Sequence, residues 1–244
     1  MLVQQGADRE ALRLPRAEQR HEPLQGLPRI NYILDEQNMF PVEVGGRAAR
    51  APISVLLASS ANIYGNARGG QLDETAPAAP ANDYAVSKVA AEHVARIYSS
   101  RVPIIVSRPF NYTGRGQSES FLLPKIVAHA RDRAPVMELG NLDVARDFSD
   151  VRAIADAYVR LLSTPAAVGQ TFNICSGRAV SLHDVIDLVS SISGHRPEIR
   201  VNPALVRENE VSKLWGSPAK LESVIGPLKH IPLEETLRWM LEGE

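Results

Sequence analysis

Three short apolar runs, ISVLLASS (53–60), VPIIVSRPF (102–110) and TFNICSG (171–177), constrain this chain more than any other feature. Each is partly β-branched, too short for an ordinary helix, and closes in small or turn-forming residues, the pattern of a strand buried on both faces. Between them lie stretches of helical spacing. Residues 83–100 place Val86, Val89, Ala90, Val94 and Ile97 at intervals that fit an amphipathic helix, and helices are also expected near 119–133 and 150–163. A strand is expected near 135–139 and a helix from Ser181, whose hydroxyl can cap its first turn. Strands separated by helices predict an α/β fold on a parallel sheet. PEIRVNP, SPAKLESVIG and a helical PLEETLRWML complete a smaller C-terminal part. Residues 1–50 hold seven Arg and seven Asp or Glu with no sustained period, and no fold is assigned to them. The domains expected are 1–50, an unassigned segment, 51–165, the larger domain interleaved with the smaller one, and 166–244, mainly the smaller C-terminal part.

Charge excludes some function classes. Lys and Arg number 27 against 28 Asp and Glu, so the net charge is -1 and no global field gathers nucleic acid or an acidic membrane. Neither partner is expected, and an anionic ligand must be met by local charges. The single cysteine, Cys175, excludes an intramolecular disulfide and fits a reducing compartment, so a cytoplasmic location is expected. No 18-residue apolar run and no basic-then-apolar leader occurs, which predicts a soluble chain without span or signal. His93, His129, His183 and His230 lack metal-ligand spacing and read as solvated or packing residues, so no metal is expected.

The chemistry is carried by ANDYAVSK (81–88), in which Tyr84 and Lys88 stand four apart at the head of the expected helix and so share a face. Tyrosine titrates near pH ~10 in water, but a nearby cation favours the phenolate and makes the phenol a usable general acid and base. Alone, such a pair is common on helices and most often structural. Ser60 changes the weighing, because it closes the 53–60 run in the crevice beyond strand carboxyl ends where open α/β sheets bind ligands. A hydroxyl there can hold a substrate oxygen while the tyrosine moves its proton.

SSANIYG (59–65), ETAPAAP (74–80), YAVSK (84–88), SRPFNYTGRGQ (107–117), LGNLDVARDFSDV (139–151) and RENEVSKLWGSPAK (207–220) stand in order along the chain. Through them the sequence resembles the extended short-chain dehydrogenase/reductases over residues 53–241, nearest to the branch that handles GDP-mannose and its 4-keto-6-deoxy product. The resemblance implies a Rossmann-like parallel sheet with a smaller substrate-binding subdomain, and Ser60, Tyr84 and Lys88 as the catalytic set. It implies NAD or NADP as cofactor, with Lys88 on the nicotinamide ribose and Pro109 beside the nicotinamide. Asn111, Arg146 and Arg207 would meet the sugar diphosphate, Glu210 the nucleotide ribose, and Lys125 the region of the base. Arg146 beside Asp147 also reads as a surface ion pair, and Arg207 with Glu210 as another. A homodimer through helices 83–100 and 150–163 is a further implication.

Ala61 and Asn62 follow the serine where related dehydratases carry acids and related 3,5-epimerase-reductases a cysteine, so elimination and proton removal beside the ketone are disfavoured. Reduction of GDP-4-keto-6-deoxy-D-mannose to GDP-D-rhamnose is the expectation, ahead of a nucleotide-sugar 4-epimerase and then of a GDP-mannose 4,6-dehydratase. No turn of the form G-x-x-G-x-x-G occurs in the 244 residues; EVGGR (43–47) and GRGQ (114–117) have the wrong spacing. The sequence therefore reads as a Rossmann-like sheet whose first half is lost or replaced, with the 53–59 strand at an edge. A competing class follows: an inactive sugar-nucleotide-binding homologue that keeps the substrate side without holding the dinucleotide.

Overall fold

A computed structural model describes residues 54–66, 69–206 and 210–243. In chain order the strands are β1 (Val55–Ala58), β2 (Gly70–Leu72), β3 (Ile104–Pro109), β4 (Asn111–Thr113), β5 (Val136–Leu139), β6 (Ala145–Arg146), β7 (Phe148–Asp150), β8 (Thr171–Ile174), β9 (Val180–Ser181), β10 (Glu198–Val201) and β11 (Lys213–Gly216). The helices are α1 (Asp83–Tyr98), α2 (Leu122–Arg131), α3 (Val151–Leu162), α4 (Leu182–Ser193), α5 (Ala219–Ile225) and α6 (Leu233–Leu241).

The three apolar runs that opened the sequence reading come together as one parallel sheet ordered β1-β3-β8, with Leu57 opposite Val106 and Val106 opposite Thr171. Among the described residues β1 pairs with β3 alone, which leaves it at an edge. Ile105, Phe172 and Ile174 bury completely against Ile154, Ala157 and Leu161 of α3 and Leu221 of α5. Each such side chain taken from water stabilises the fold by about 1.5–3 kcal/mol, which fixes α3 under the sheet.

A second core gathers α2, α4 and α6 over the parallel pair β5 and β10, around Ile126, Met137, Val185, Val189 and Leu237. A third, smaller core joins Ala61, Ile63, Tyr64, Leu72, Phe110 and Cys175, with Leu214 against it. The remaining strands form β2-β11-β6-β9, parallel except for the antiparallel β6–β9 pair, and the parallel pair β4–β7. Strands of two to four residues are too short for a period of 2 to show, and β2, β4, β6, β7, β9 and β11 were not expected.

Two details depart from the sequence reading. Strand β1 ends at Ala58, and Ser60 lies beyond it as the cap of a 3-10 turn, Ala61–Tyr64. Helix α1 forms where expected, with the Asn82 carboxamide accepting from Ala85 N at 2.8 Å, a cap worth about 1 kcal/mol. Most of its apolar positions do not face a core, however: Ile97 is 73% exposed and Val86 53%, whereas Ala85 and Glu92 are buried and only Val89 of the expected five packs against a cluster, that of Ala61, Ile63 and Tyr64. The inward line of the helix mixes small apolar residues with Lys88 and Glu92. Among the described residues no helix is long and apolar enough to cross a membrane.

Candidate active site

The crevice beyond β1 is shaped by a chain reversal. Ser60 Oγ accepts from Asn62 N at 3.1 Å, and Gly65 closes the 3-10 turn with φ 59°. A side chain on Gly65 would meet the Ala79 carbonyl oxygen, so only glycine allows the 60–65 turn to pack under the loop leading to α1. Accepting one hydrogen bond leaves the Ser60 hydroxyl its own proton to direct at a ligand. The 60–65 turn packs against α1, the element that carries Tyr84 and Lys88.

Lys88 Nζ lies 5.3 Å from the centre of the Tyr84 ring and donates to the Ala58 carbonyl at 3.3 Å. The ammonium thus bridges the helix and the last residue of β1, two residues before Ser60. Tyr84 is 42% exposed. The other tyrosines of this region are less suited to proton transfer. Burial pushes the Tyr158 phenol up to about 12 despite a hydrogen bond from Ser107, with Tyr112 and Tyr84 adding to the rise. Burial also raises Tyr64, against the lowering influence of Arg108.

Behind the pair lies a buried polar network that the sequence reading missed. Glu92 accepts from Ser59 Oγ at 2.5 Å and from both Nε and Nη2 of Arg108, at 2.9 and 2.7 Å. Arg108 Nη1 donates to the Tyr64 hydroxyl at 3.1 Å, and that hydroxyl donates to Asn173 Oδ1 at 2.7 Å. Glu74 Oε1 accepts from Asn173 N at 2.7 Å. One signal was available: Tyr84, Lys88 and Glu92 stand at intervals of four, so all three share one helical face. Burial pushes the Glu92 carboxyl up, but the hydrogen bonds from Arg108 and Ser59 outweigh it and hold the group below the usual carboxylate range. A folded-state value below the unfolded one means stability gained at neutral pH and lost as pH falls through the depressed value. Stability is therefore expected to be level above about pH 5 and to fall below about pH 4. Glu92→Gln should flatten that acid limb in circular-dichroism titrations.

The residues expected to meet the nucleotide are dispersed over several elements. Pro109 is buried at the end of β3, next to the sheet end. Asn111 is exposed at the start of β4 and donates from Nδ2 to the Asp147 carbonyl at 3.2 Å. Arg146 Nη2 meets Glu210 Oε1 at 2.9 Å in an ion pair whose side chains are only 16% and 14% exposed. Arg146 does not pair with Asp147, because Asp147 is fully buried and faces the backbone N–H groups of Ser176, Gly177 and Gly216 instead. Arg207, and with it the expected Arg207–Glu210 pair, lies outside the described residues. Lys125 is on α2, donating to the Glu138 carbonyl of β5 at 2.6 Å, away from the Tyr84–Lys88 pair in the contacts it makes. Cys175 is buried, and burial pushes its thiol far above the usual range, as befits a core residue.

Two cavities lie elsewhere. One of about 380 Å³ is bounded by α2, α4 and α6, and one of about 770 Å³ by Glu74, Arg108, Thr171 and Lys220; neither is lined by Ser60, Tyr84 or Lys88. The residues at the β1 end fit the nicotinamide end of a dinucleotide, with a lysine ammonium and a phenol beside a strand end, and no glycine-rich turn for the pyrophosphate is present in the sequence.

Comparison with known proteins adds the following. Residues 43–240 match the family model for GDP-mannose 4,6-dehydratase. The chain is 38% identical over 176 residues to GDP-6-deoxy-D-talose 4-dehydrogenase of Aggregatibacter actinomycetemcomitans, covering 72% of this chain and 60% of that one. It is 35% identical over 196 residues to GDP-6-deoxy-D-mannose reductase of Pseudomonas aeruginosa, covering 76% and 64%. Among solved structures, an inferred epimerase from Burkholderia cenocepacia J2315 matches with a TM-score of 0.76 at 55% identity, over 80% of this chain and 64% of that one. RMD from Pseudomonas aeruginosa complexed with NADPH matches with a TM-score of 0.69 at 32% identity, over 78% and 65%. The chain thus spans somewhat under two thirds of the length of these relatives.

Proposed function

The chain belongs to the GDP-mannose 4,6-dehydratase family of the extended short-chain dehydrogenase/reductases, and from that premise we propose that it reduces a GDP-linked 4-keto-6-deoxy sugar with NAD(P)H. The observation that carries the reading is the Lys88 ammonium, 5.3 Å from the Tyr84 ring and hydrogen-bonded to the end of β1, two residues before Ser60. The relatives' names support the substrate class. 6-Deoxy-D-talose and 6-deoxy-D-mannose differ only at C4, so a single 4-ketone joins the two names.

In this reading NAD(P)H, when bound, supplies the hydride to C4. Ser60 donates a hydrogen bond to the C4 oxygen and polarises the carbonyl. Tyr84 passes its phenolic proton to that oxygen as the negative charge develops, and Lys88 stabilises the phenolate left behind. Arg146 and Asn111 hold the diphosphate, with guanidinium forks suited to its oxygens, and Glu210 holds the nucleotide ribose. The product is GDP-6-deoxy-D-mannose, that is GDP-D-rhamnose. Ala61 and Asn62 offer no titratable side chain beside Ser60, which disfavours elimination of water.

The test supplies GDP-4-keto-6-deoxy-D-mannose with NADPH or NADH and follows the loss of reduced-nicotinamide absorbance, with the C4 configuration of the product read by NMR. Stoichiometric oxidation of the cofactor with GDP-D-rhamnose formed is the expected result. Conversion without net cofactor oxidation would instead identify an epimerase. Stabilisation by GDP with no cofactor binding would identify a sugar-nucleotide-binding module.

A further inference from the structure

We propose that Glu92, Arg108 and Ser59 are positioning residues that set the depth and tilt at which α1 presents Tyr84 and Lys88 to Ser60; this rests on the function proposed above for that pair.

The apolar anchorage of helix α1 is small: Ala85 is buried and Val89 packs against the Ala61, Ile63 and Tyr64 cluster, while Val86, Val94, Ile97 and Tyr98 are exposed. Apolar contact of this kind tolerates sliding; the contacts that fix where the inner face sits on the sheet are polar and directional. Lys88 donates to the carbonyl of Ala58, and one turn on Glu92 receives the Ser59 hydroxyl, so two successive turns of the helix grip two successive residues of the strand end. The next residue is Ser60. Any slide of α1 along β1 therefore breaks the Lys88 and Glu92 contacts.

Arg108 sets the third dimension. It comes from β3, the neighbour of β1, and its fork meets both carboxylate oxygens of Glu92, fixing the carboxylate plane as well as its distance. Its remaining nitrogen is held by the Tyr64 hydroxyl, and the guanidinium lies 5.3 Å from the Tyr64 ring centre. Tyr64 is the last residue of the turn that Ser60 caps. The network thus starts one residue before Ser60 and returns four residues after it, enclosing the serine between two fixed points. Side chains so constrained define a reactive geometry to a fraction of an ångström, and a misplacement of about 1 Å costs about a hundredfold in rate.

Three variants of the full chain test this: Glu92→Gln, which turns an amide N–H toward Arg108; Ser59→Ala, which removes one hydroxyl and leaves the ion pair; and Ser59→Thr, which keeps a hydroxyl. With NADPH and GDP-4-keto-6-deoxy-D-mannose, Glu92→Gln and Ser59→Ala are expected to lower kcat by about ten- to a hundredfold, the order that misplacement produces. GDP affinity by calorimetry should stay unchanged, and Ser59→Thr should restore most of kcat. In parallel, ¹³Cζ-tyrosine NMR, with the Tyr84 signal identified by its loss in Tyr84→Phe, should show that signal displaced in Glu92→Gln and Ser59→Ala while Tyr98 is unmoved. An unmoved Tyr84 signal in folded Ser59→Ala overturns the proposal, as does a fall in kcat matched by an equal loss of GDP affinity. Absence of turnover in the unaltered chain refutes the functional reading instead, and the NMR arm then decides the positioning by itself.

Discussion

Tyr84→Phe is expected to lower turnover of the 4-keto sugar by about two to four orders of magnitude, the range attributable to one positioned general acid. The substitution removes a single oxygen from a ring that is 42% exposed, so it opens no cavity in a core. GDP affinity should also be unchanged, because the residues assigned to the nucleotide lie on β4, β6 and the segment before β11. Lys88→Met tests the partner separately. It removes the ammonium 5.3 Å from the ring and the hydrogen bond to Ala58, and should cost a similar factor with the pH optimum displaced upward, since the phenolate loses its stabilising cation. Steady-state kinetics against pH, with GDP titration calorimetry as the control, measure both. Turnover within threefold of the unaltered chain in Tyr84→Phe removes that residue from its assigned role.

The sequence disclosed those parts of the molecule whose signals are local. Apolar runs of ordinary strand length marked β1, β3 and β8, and their grouping into one parallel sheet follows from the helices between them. Helices α1 to α4 and α6 showed in spacing and caps, as at Ser181, whose Oγ accepts from Asp184 N at 3.0 Å. The Tyr84–Lys88 geometry was legible because both residues lie on one helix, where an interval of four fixes their relation.

Relations across elements were not legible. Arg146 pairs with Glu210, 64 residues away, and nothing local distinguishes that partner from Asp147, its immediate neighbour. The Glu92–Arg108 pair joins a helix to a strand, and its members read as two more charges in a balanced composition. The exposed apolar positions of α1 misled for a related reason: periodicity reports which face is apolar, not whether another element covers it. The network supplies a physical reason for the marker segments to occur together. Ser59 and Tyr64 come from SSANIYG, Glu74 from ETAPAAP, Arg108 from SRPFNYTGRGQ, and their hydrogen bonds tie these segments to α1 and β8.

Asp147→Asn is expected to destabilise the chain by about 3 kcal/mol and to weaken GDP binding with it. Asp147 is fully buried. Its Oδ1 accepts from Ser176 N and Oγ at 2.8 and 2.7 Å, and its Oδ2 from Gly177 N at 3.0 Å and Gly216 N at 3.2 Å. Burial pushes this carboxyl up and the four donors pull it back, with burial the larger influence. The donors nevertheless require acceptors on both oxygens, and an asparagine can offer only one. Its amide would turn N–H groups toward the N–H of Gly177 and Gly216, leaving one partly buried and one buried backbone donor unsatisfied at about 1–3 kcal/mol each. No shift of Gly216 relieves this, since a side chain there would already collide with Phe110 and Cys175, a measure of how closely β11 is packed. The consequence for binding follows from connectivity. The Asp147 backbone accepts from Asn111 Nδ2 and donates to the Leu214 carbonyl, and Arg146 is its neighbour in sequence, so the residues assigned to the diphosphate share this one anchor. Urea unfolding should show a lower midpoint at an unchanged slope, and GDP calorimetry a reduced affinity. A midpoint unmoved in Asp147→Asn would mean that the Gly177 and Gly216 donors do not depend on the second carboxyl oxygen, and would overturn the assignment of Asp147 as their anchor.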